Sequence, residues 1–311
     1  MSFTLAGGLS PQPDIIEMAD FWEIECFKKA DFSASLLDVS KSLGIMEDVQ
    51  EDEIEREEDE LEDKQQQLVD EIGRRISSCS GKYPFTLNEL GYVLSINPMV
   101  SEEWLWTYTY LLLATRNNMS DNKIVANVDG TKLFEKISKD ILLNYLGNHS
   151  QGIVFGTSTA GGFQLKLADL VRDLKDGTLS VSNTITYNPQ DDKLDIAAWI
   201  PFNDEFSCKL ICFAQCKTGT HWSRAINDLD VGDFLKKWFS TLPKLNPVRT
   251  FMIADVLDPR DFYHKSGQNL FFDRIRLTAF LILNDGNDWY DNLRDWTREV
   301  MTQFNLSFNA A

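Results

Sequence analysis

Asp195, Gln215 and Lys217 stand at the ends of two apolar runs, Leu194 to Phe202 and Lys209 to Lys217, with nineteen residues between the aspartate and the glutamine. Side chains alternate faces along a strand, so Gln215 and Lys217 are expected on one side of the second run, with Cys208, Leu210, Cys212, Ala214 and Cys216 on the other. In the first run Leu194, Ile196, Ala198 and Ile200 make an apolar row, and Asp195 is expected to point away from it. A carboxylate, an amide carbonyl and an ammonium gathered at a hairpin are the parts of a divalent-metal site for phosphodiester hydrolysis. A hard cation such as Mg²⁺ takes oxygen ligands, commonly one or two carboxylates together with the substrate's phosphate oxygens. Asp195 can supply the anionic ligand and Gln215 a neutral oxygen, while Lys217 is placed to steady charge on the phosphate.

These residues resemble the PD-(D/E)XK, or restriction-endonuclease-like, nuclease superfamily in the variant where glutamine replaces the second acid. The matching segments are Leu194-Asp195-Ile196-Ala197-Ala198-Trp199 and Gln215-Cys216-Lys217. Two departures stand out: no proline directly precedes Asp195, and the second acid is Gln215. The resemblance covers roughly residues 125 to 285 and implies a metal-dependent endonuclease, a hydrolase using Mg²⁺ or Mn²⁺ on nucleic acid, with DNA favoured over RNA. It also implies an acidic residue on a helix before the first core strand, and Glu135 fills that place. Leu133, Phe134, Ile137, Ile141, Leu142 and Leu146 give its segment helical periodicity. The catalytic set is thus Asp195, Gln215, Lys217 and Glu135, with Asp195, Glu135 and Gln215 on the metal. His221, Trp222 and Arg224 follow the Lys217 strand, where Arg224 could meet a phosphate and Trp222 a sugar or base. By analogy with small relatives, the setting is bacterial defence against phage. The competing reading is a nuclease-like module that has lost catalysis and binds nucleic acid or a partner protein through the same cleft.

The elements that must position these residues follow from pattern. An α/β (α+β overall) fold is expected, with a restriction-endonuclease-like mixed sheet flanked by helices over residues 121–311 and a helical region over 1–120. Asn117 to Asp121 is polar and turn-rich and marks the boundary. In the front region, Asp14 and Glu17 have capping-box spacing, Thr86 and Glu89 share it, and a further helix follows Ser101. Behind the boundary come the Glu135 helix, an apolar run at Gly152 to Gly156, and Ser158 to Gly162 leading into a helix over Phe163 to Leu174. The strand candidates are Leu179 to Tyr187, Leu194 to Phe202, Lys209 to Lys217, Thr250 to Ala254 and Arg274 to Leu283. A helix is expected over Arg224 to Thr241, and a final one carries Trp289, Leu293, Trp296 and Val300. Phe272-Asp273-Arg274 reads as a salt-bridged start of a strand.

The 311 residues carry a net charge of -18, which disfavours a solitary nucleic-acid binder. The charge is uneven: residues 1–120 hold 24 acids against 9 basic residues, whereas 121–311 hold 24 against 21. Glu47 to Asp63 alone has 12 acids opposed only by Arg56. Ile54, Leu61, Leu68, Ile72 and Ile76 make this stretch a helix, either a solvated connector or an anionic arm that lies over a basic cleft. The charge also favours a protein partner such as a helicase or ATPase, and a homo-oligomer remains open. No apolar run reaches the length of a membrane span, no secretion signal is evident, and five cysteines at uneven spacing read as reduced thiols, so no membrane association and a cytoplasmic location are expected. Cys208, Cys212, Cys216 and His221 lack the paired spacing of a structural zinc site, and core cysteines are the better reading. Gly161-Gly162 has no Gly-Lys-Ser/Thr after it, which argues against nucleotide hydrolysis.

Overall fold

The computed structural model describes residues 3–42, 54–156, 162–180, 192–202, 204, 206–283 and 287–307. In chain order the front of the protein has helix α1 (Ile15–Cys26), strand β1 (Ser33–Ser35), helices α2 (Leu36–Ser42) and α3 (Ile54–Ser78), strands β2 (Phe85–Leu87) and β3 (Val93–Ile96), and helix α4 (Glu102–Arg116). The short strands β4 (Ile124–Val125) and β5 (Val128–Asp129) lead into α5 (Gly130–Leu146), followed by β6 (Gln151–Val154), α6 (Gly162–Leu174), β7 (Thr178–Leu179), β8 (Ile196–Trp199) and β9 (Ile211–Lys217). A 3₁₀ turn at Trp222–Ala225 precedes α7 (Val231–Trp238), β10 (Phe239–Thr241), β11 (Val248–Ile253), α8 (Phe262–Lys265), β12 (Leu270–Phe272), α9 (Arg274–Phe280) and α10 (Tyr290–Gln303).

Side-chain caps fix several helix starts. Asp14 Oδ1 accepts from Glu17 N at 2.8 Å to open α1, and Ser101 opens α4. Asp129 accepts from the amides of Thr131 and Lys132 at the start of α5, each bond satisfying an amide that has no partner within the helix. Gly147, at φ +101°, ends that helix. The heptad-like stripe of α3 buries Leu68 and Ile72, as its periodicity predicts. Residues 43–53, including much of the acidic stretch, lie outside the described residues, and so does the anionic-arm reading that depends on them. Residues 157–161 of the supposed phosphate cradle do too.

Three expectations fail. Thr86 and Glu89 do not cap a helix: β2 and β3 form a hairpin, closed by Asn88 Oδ1 accepting from the amides of Tyr92 and Val93 at 2.9 and 3.1 Å. This local bond competes with the helix that the same spacing would support. Arg274 to Leu283 is not a strand. Asp273 is the N-cap of α9, accepting from Arg276 N at 3.0 Å, and Arg274 pairs elsewhere. The helix expected over Arg224 to Thr241 breaks into the 3₁₀ turn, α7 and β10. Of Leu179 to Tyr187, only Leu179 among the described residues is in a strand, ending β7, which pairs with β10, and 181–187 lie outside the described residues.

The principal sheet has five strands in the order β12-β11-β9-β8-β6. β6, β8 and β9 run as an antiparallel meander, whereas β11 is parallel to β9, with α7 on the intervening connection, and β12 is parallel to β11. The result is a mixed α/β fold. Both faces of the central strands are covered, so the side that carries Gln215 packs as the cysteine side does. Ile196, Ala198, Cys212, Ala214 and Cys216 belong to a core shared with α5 through Ile137 and Ile141. Ala197, Trp199, Ile211 and Phe213 belong to another core, built with Leu167 and Leu170 of α6 and Phe234 and Trp238 of α7. Cys208 and Leu210 are exposed and do not extend the buried row.

The first of these cores also takes in Trp22, Leu68, Tyr108 and Leu112, so it continues across residue 120. A buried ionic cluster sits within it. Asp20 of α1 receives Arg274 of α9 through two bonds of 2.8 and 2.9 Å, Arg75 of α3 at 2.7 Å and Arg116 of α4 at 2.8 Å. Glu23 accepts from Arg75 at 2.6 Å and from the hydroxyls of Tyr83 and Tyr108 at 2.6 and 2.9 Å. Arg274 then donates Nε to Ala254 O at 2.9 Å, and Ala254 N donates to Lys217 O at 3.1 Å. The front helices therefore brace the end of the sheet at which Lys217 stands.

Candidate active site at one end of the sheet

The antiparallel meander brings the C-terminal end of β6, the N-terminal end of β8 and the C-terminal end of β9 to the same edge, and the parallel β11 ends there too. Asp195, Gln215 and Lys217 therefore share one end of the sheet. Glu135 reaches that end from α5. A side chain added at Gly156, just past β6, would place its Cβ 2.7 Å from Glu135 Oε2. Phe155 N, beside Gly156, donates to Asp195 O at 2.7 Å, so the Glu135 carboxylate lies next to the strand end that carries Asp195.

The ladder is irregular at Asp195. Ile196 is the partner of Ala214, yet Asp195 N also donates to Ala214 O, at 3.0 Å. Two residues thus face one, which is a β-bulge, a device that re-aims a side chain and recurs beside active sites. Leu194 accordingly packs with Ala197 and Trp199 and not with Ile196 and Ala198, which corrects the simple alternation read from the sequence. The Asp195 carboxylate is turned into the ladder, where Oδ2 accepts from Cys216 N at 2.7 Å.

Gln215 and Lys217 lie on the face of Phe213, Phe251 and Ile253, since Phe251 is the register partner of Gln215 and Ile253 that of Lys217. Glu135 comes from a helix on the opposite face, and Asp195 sits between the two faces at the end of the ladder. The four groups thus lie at one end of the sheet but come from different faces of it.

Gln215 is only 1% exposed, and neither its Oε1 nor its Nε2 has a hydrogen-bond partner among the described residues. A buried amide of this kind is normally satisfied, and where the protein does not supply the partner a water, ion or ligand is the expected one. Lys217 is half-buried and makes no ion pair among the described residues. Cys216 is buried on the α5 side. Burial, with Asp195 and Glu135 adding to it, pushes its thiol well above the usual range, and burial pushes Cys212 up to about 11. Both thiols pack in the apolar core with Ala214 and Met252, as the core-cysteine reading expects.

Among the described residues no group of three or more Asp, Glu, His or Cys side chains could hold a metal ion. Asp195, Glu135 and Gln215 offer oxygen donors only, the ligand type that a hard divalent cation takes.

His221 and Arg224 are exposed beyond β9. His221 borders a cleft of about 860 Å³ that also touches Lys217, Thr131 and the segment from Gly7 to Pro11. Trp222 is not available to a base, which corrects its expected role. It is buried against Phe251 and Phe271 and donates Nε1 to Asp255 Oδ2 at 3.2 Å. Lys166 of α6 was missed. Its Nζ donates to Phe155 O at 2.6 Å, and burial lowers its pKa against the pull of Glu135. Only the fold could bring it near, since nothing local in sequence links it to the motif.

No protein-family model, curated protein or solved structure matches the chain.

Proposed function

We propose that this chain is a metal-dependent nuclease that hydrolyses phosphodiester bonds of nucleic acid at the rim formed by Asp195, Glu135, Gln215 and Lys217. The observation that carries this reading is the buried, unpartnered amide of Gln215 on the strand that ends at Lys217, beside the strand end that carries Asp195. The order of helix, antiparallel meander, helix and parallel strand, from α5 through β6, β8, β9 and α7 to β11, supports it as the arrangement that a restriction-endonuclease-like resemblance implies. Asp195, Glu135 and the Gln215 carbonyl would hold Mg²⁺ or Mn²⁺. When bound, such a cation lowers the pKa of a water and stabilises charge on the phosphate. Lys217 contributes a compact positive charge beside the same phosphate, and the Cys216 amide fixes the Asp195 carboxylate through one oxygen. With a net charge of -18, recruitment by a companion ATPase or helicase fits better than unaided capture of DNA. A role in defence against phage follows from the resemblance, and a cytoplasmic location from the five cysteines read as reduced thiols.

The test is a cleavage assay on plasmid DNA and on RNA across a Mg²⁺ and Mn²⁺ titration. Nicking that requires the metal, disappears in EDTA and falls about 10²–10³-fold in Lys217→Ala and Asp195→Asn supports the proposal. Cleavage unchanged in Lys217→Ala overturns it. One observation favours a binding module: the site offers two carboxylates and, among the described residues, no third acid. Nucleic-acid binding without cleavage at any metal concentration is the outcome that reading expects.

A further inference from the structure

A groove of about 390 Å³ runs beside the proposed site, between α5 and α6, and its lining is basic. Lys132, Lys136 and Lys139 stand four and three residues apart on α5, which places them on one face of the helix, along a line that advances about 6 and then 4.5 Å. Lys166 closes the groove from α6, and Gly156 and Glu135 form its end at the rim. Two acids, Glu135 and Asp288, share the lining. Asp288 lies 3.5 Å from Lys136, and Lys139 is 3.0 Å from Asp140, but both lysines stay partly exposed and Lys132 has no ion pair among the described residues. Four lysines against two acids is an inversion of the chain's overall balance of 30 basic to 48 acidic residues. Its position matters as much as its sign, because Glu135 belongs both to this groove and to the metal-binding set.

We infer that the groove is a track for the phosphate backbone of a nucleic acid, which the Lys132, Lys136 and Lys139 stripe holds and leads past Glu135 to the end of the sheet. This rests on the nuclease reading for the direction of travel, and on the lysines alone for binding. Lysines contacting backbone phosphates release condensed counterions and carry no sequence information, so the track serves any sequence and weakens steeply with salt.

The experiment measures binding of fluorescently labelled single-stranded DNA, duplex DNA and RNA by anisotropy in EDTA, using the full chain with Lys217→Ala so that nothing is cleaved. The triple variant Lys132→Gln, Lys136→Gln, Lys139→Gln is expected to bind at least about tenfold more weakly near 0.1 M salt, with a salt slope shallower by about 2–3. Lys236→Gln, at an exposed site on α7, should bind like the parent, and melting curves should show the triple variant folded as the parent is. Equal affinity and equal slope in the triple variant overturn the track while leaving the cleavage reading untouched. If the triple variant loses binding but Lys217→Ala, in an otherwise unaltered chain, still cleaves, the track stands and the catalytic assignment falls. Lysine-dependent binding of phosphatidylserine vesicles together with lysine-independent binding of nucleic acid would also overturn it.

Discussion

Gln215→Met separates a ligand site from a merely buried residue, because the two make opposite predictions for stability. The side chain is 1% exposed, neither amide atom has a partner among the described residues, and its neighbours on that face are Phe213, Phe251 and Lys217. A buried polar group without a partner costs about 1–3 kcal/mol. Methionine keeps the unbranched shape and adapts to irregular space without placing polar atoms there. With metal removed by EDTA, Gln215→Met should therefore raise the unfolding free energy by about 1–3 kcal/mol. At roughly 2–4 °C per kcal/mol for domains somewhat smaller than this chain, melting should rise by about 2–12 °C. Adding Mg²⁺ then reverses the ranking of gains. A ligand at ten times its Kd stabilises the native state by about 1.4 kcal/mol, and the variant, lacking one oxygen donor, should gain less than the parent at the same concentration. Urea denaturation with and without Mg²⁺ reads both effects, provided the slope with denaturant is unchanged. A variant less stable than the parent in EDTA would mean that the amide is already satisfied within the protein. An equal gain from Mg²⁺ in parent and variant would mean that Gln215 does not touch the metal.

Gly156→Ala should lose cleavage along with about 1 kcal/mol or more of stability, since φ is +53° and the added Cβ would press on Glu135 Oε2; cleavage equal to the parent would detach Glu135 from the site. Asp20→Asn should destabilise the chain by about 3–5 kcal/mol in urea, because it leaves Arg75, Arg116 and Arg274 buried with less countercharge. Two of the buried aspartates, Asp20 and Asp255, should give opposite pH responses. Burial alone would raise Asp20, but Arg274, Arg116 and Arg75 hold it well below its ordinary value of 3.8, so its contribution is present above that value and is lost as pH falls through the lower native one. Asp255 is raised, mainly by burial, so its contribution is present below the ordinary value and is lost as pH rises through the native one. Comparing stability against pH for Asp20→Asn and Asp255→Asn checks both signs.

The helices and strands that carry the proposed site could be read from sequence where they depend on local rules. Asp14, Ser101 and Asp129 bond amides two or three residues away, and the α3 and α5 stripes obey a single period. Asp195 shows where such rules stop. Alternation holds along β8, but whether it extends one residue further depends on a bulge set by Ala214 of the neighbouring strand. Trp222 is a similar case. A loop tryptophan after a strand end can serve a ligand or a core, and the choice is made by Phe251, Phe271 and Asp255, all far along the chain. The lysines of α5 were visible as a spacing of four and three, yet their meaning required Lys166 and Gly156 on the other wall.

The ionic cluster extends the same reasoning to the site itself. Asp20 and Arg274 are 254 residues apart, and each alone reads as a charged residue at the start or on the face of a helix. Their two-bond pairing fixes the Arg274 guanidinium, whose Nε holds Ala254 O, and Ala254 N in turn holds Lys217 O. Through this chain of contacts the position of a proposed catalytic ammonium depends on an aspartate in the first helix. Asp20→Asn should consequently disturb cleavage beyond what lost folding explains. Under conditions where the variant remains folded, kcat should fall while nucleic-acid affinity, carried by α5, is kept. A folded variant with undiminished kcat would show that Lys217 is held by its own strand alone, and that the cluster joins the front helices to the sheet without tuning the rim.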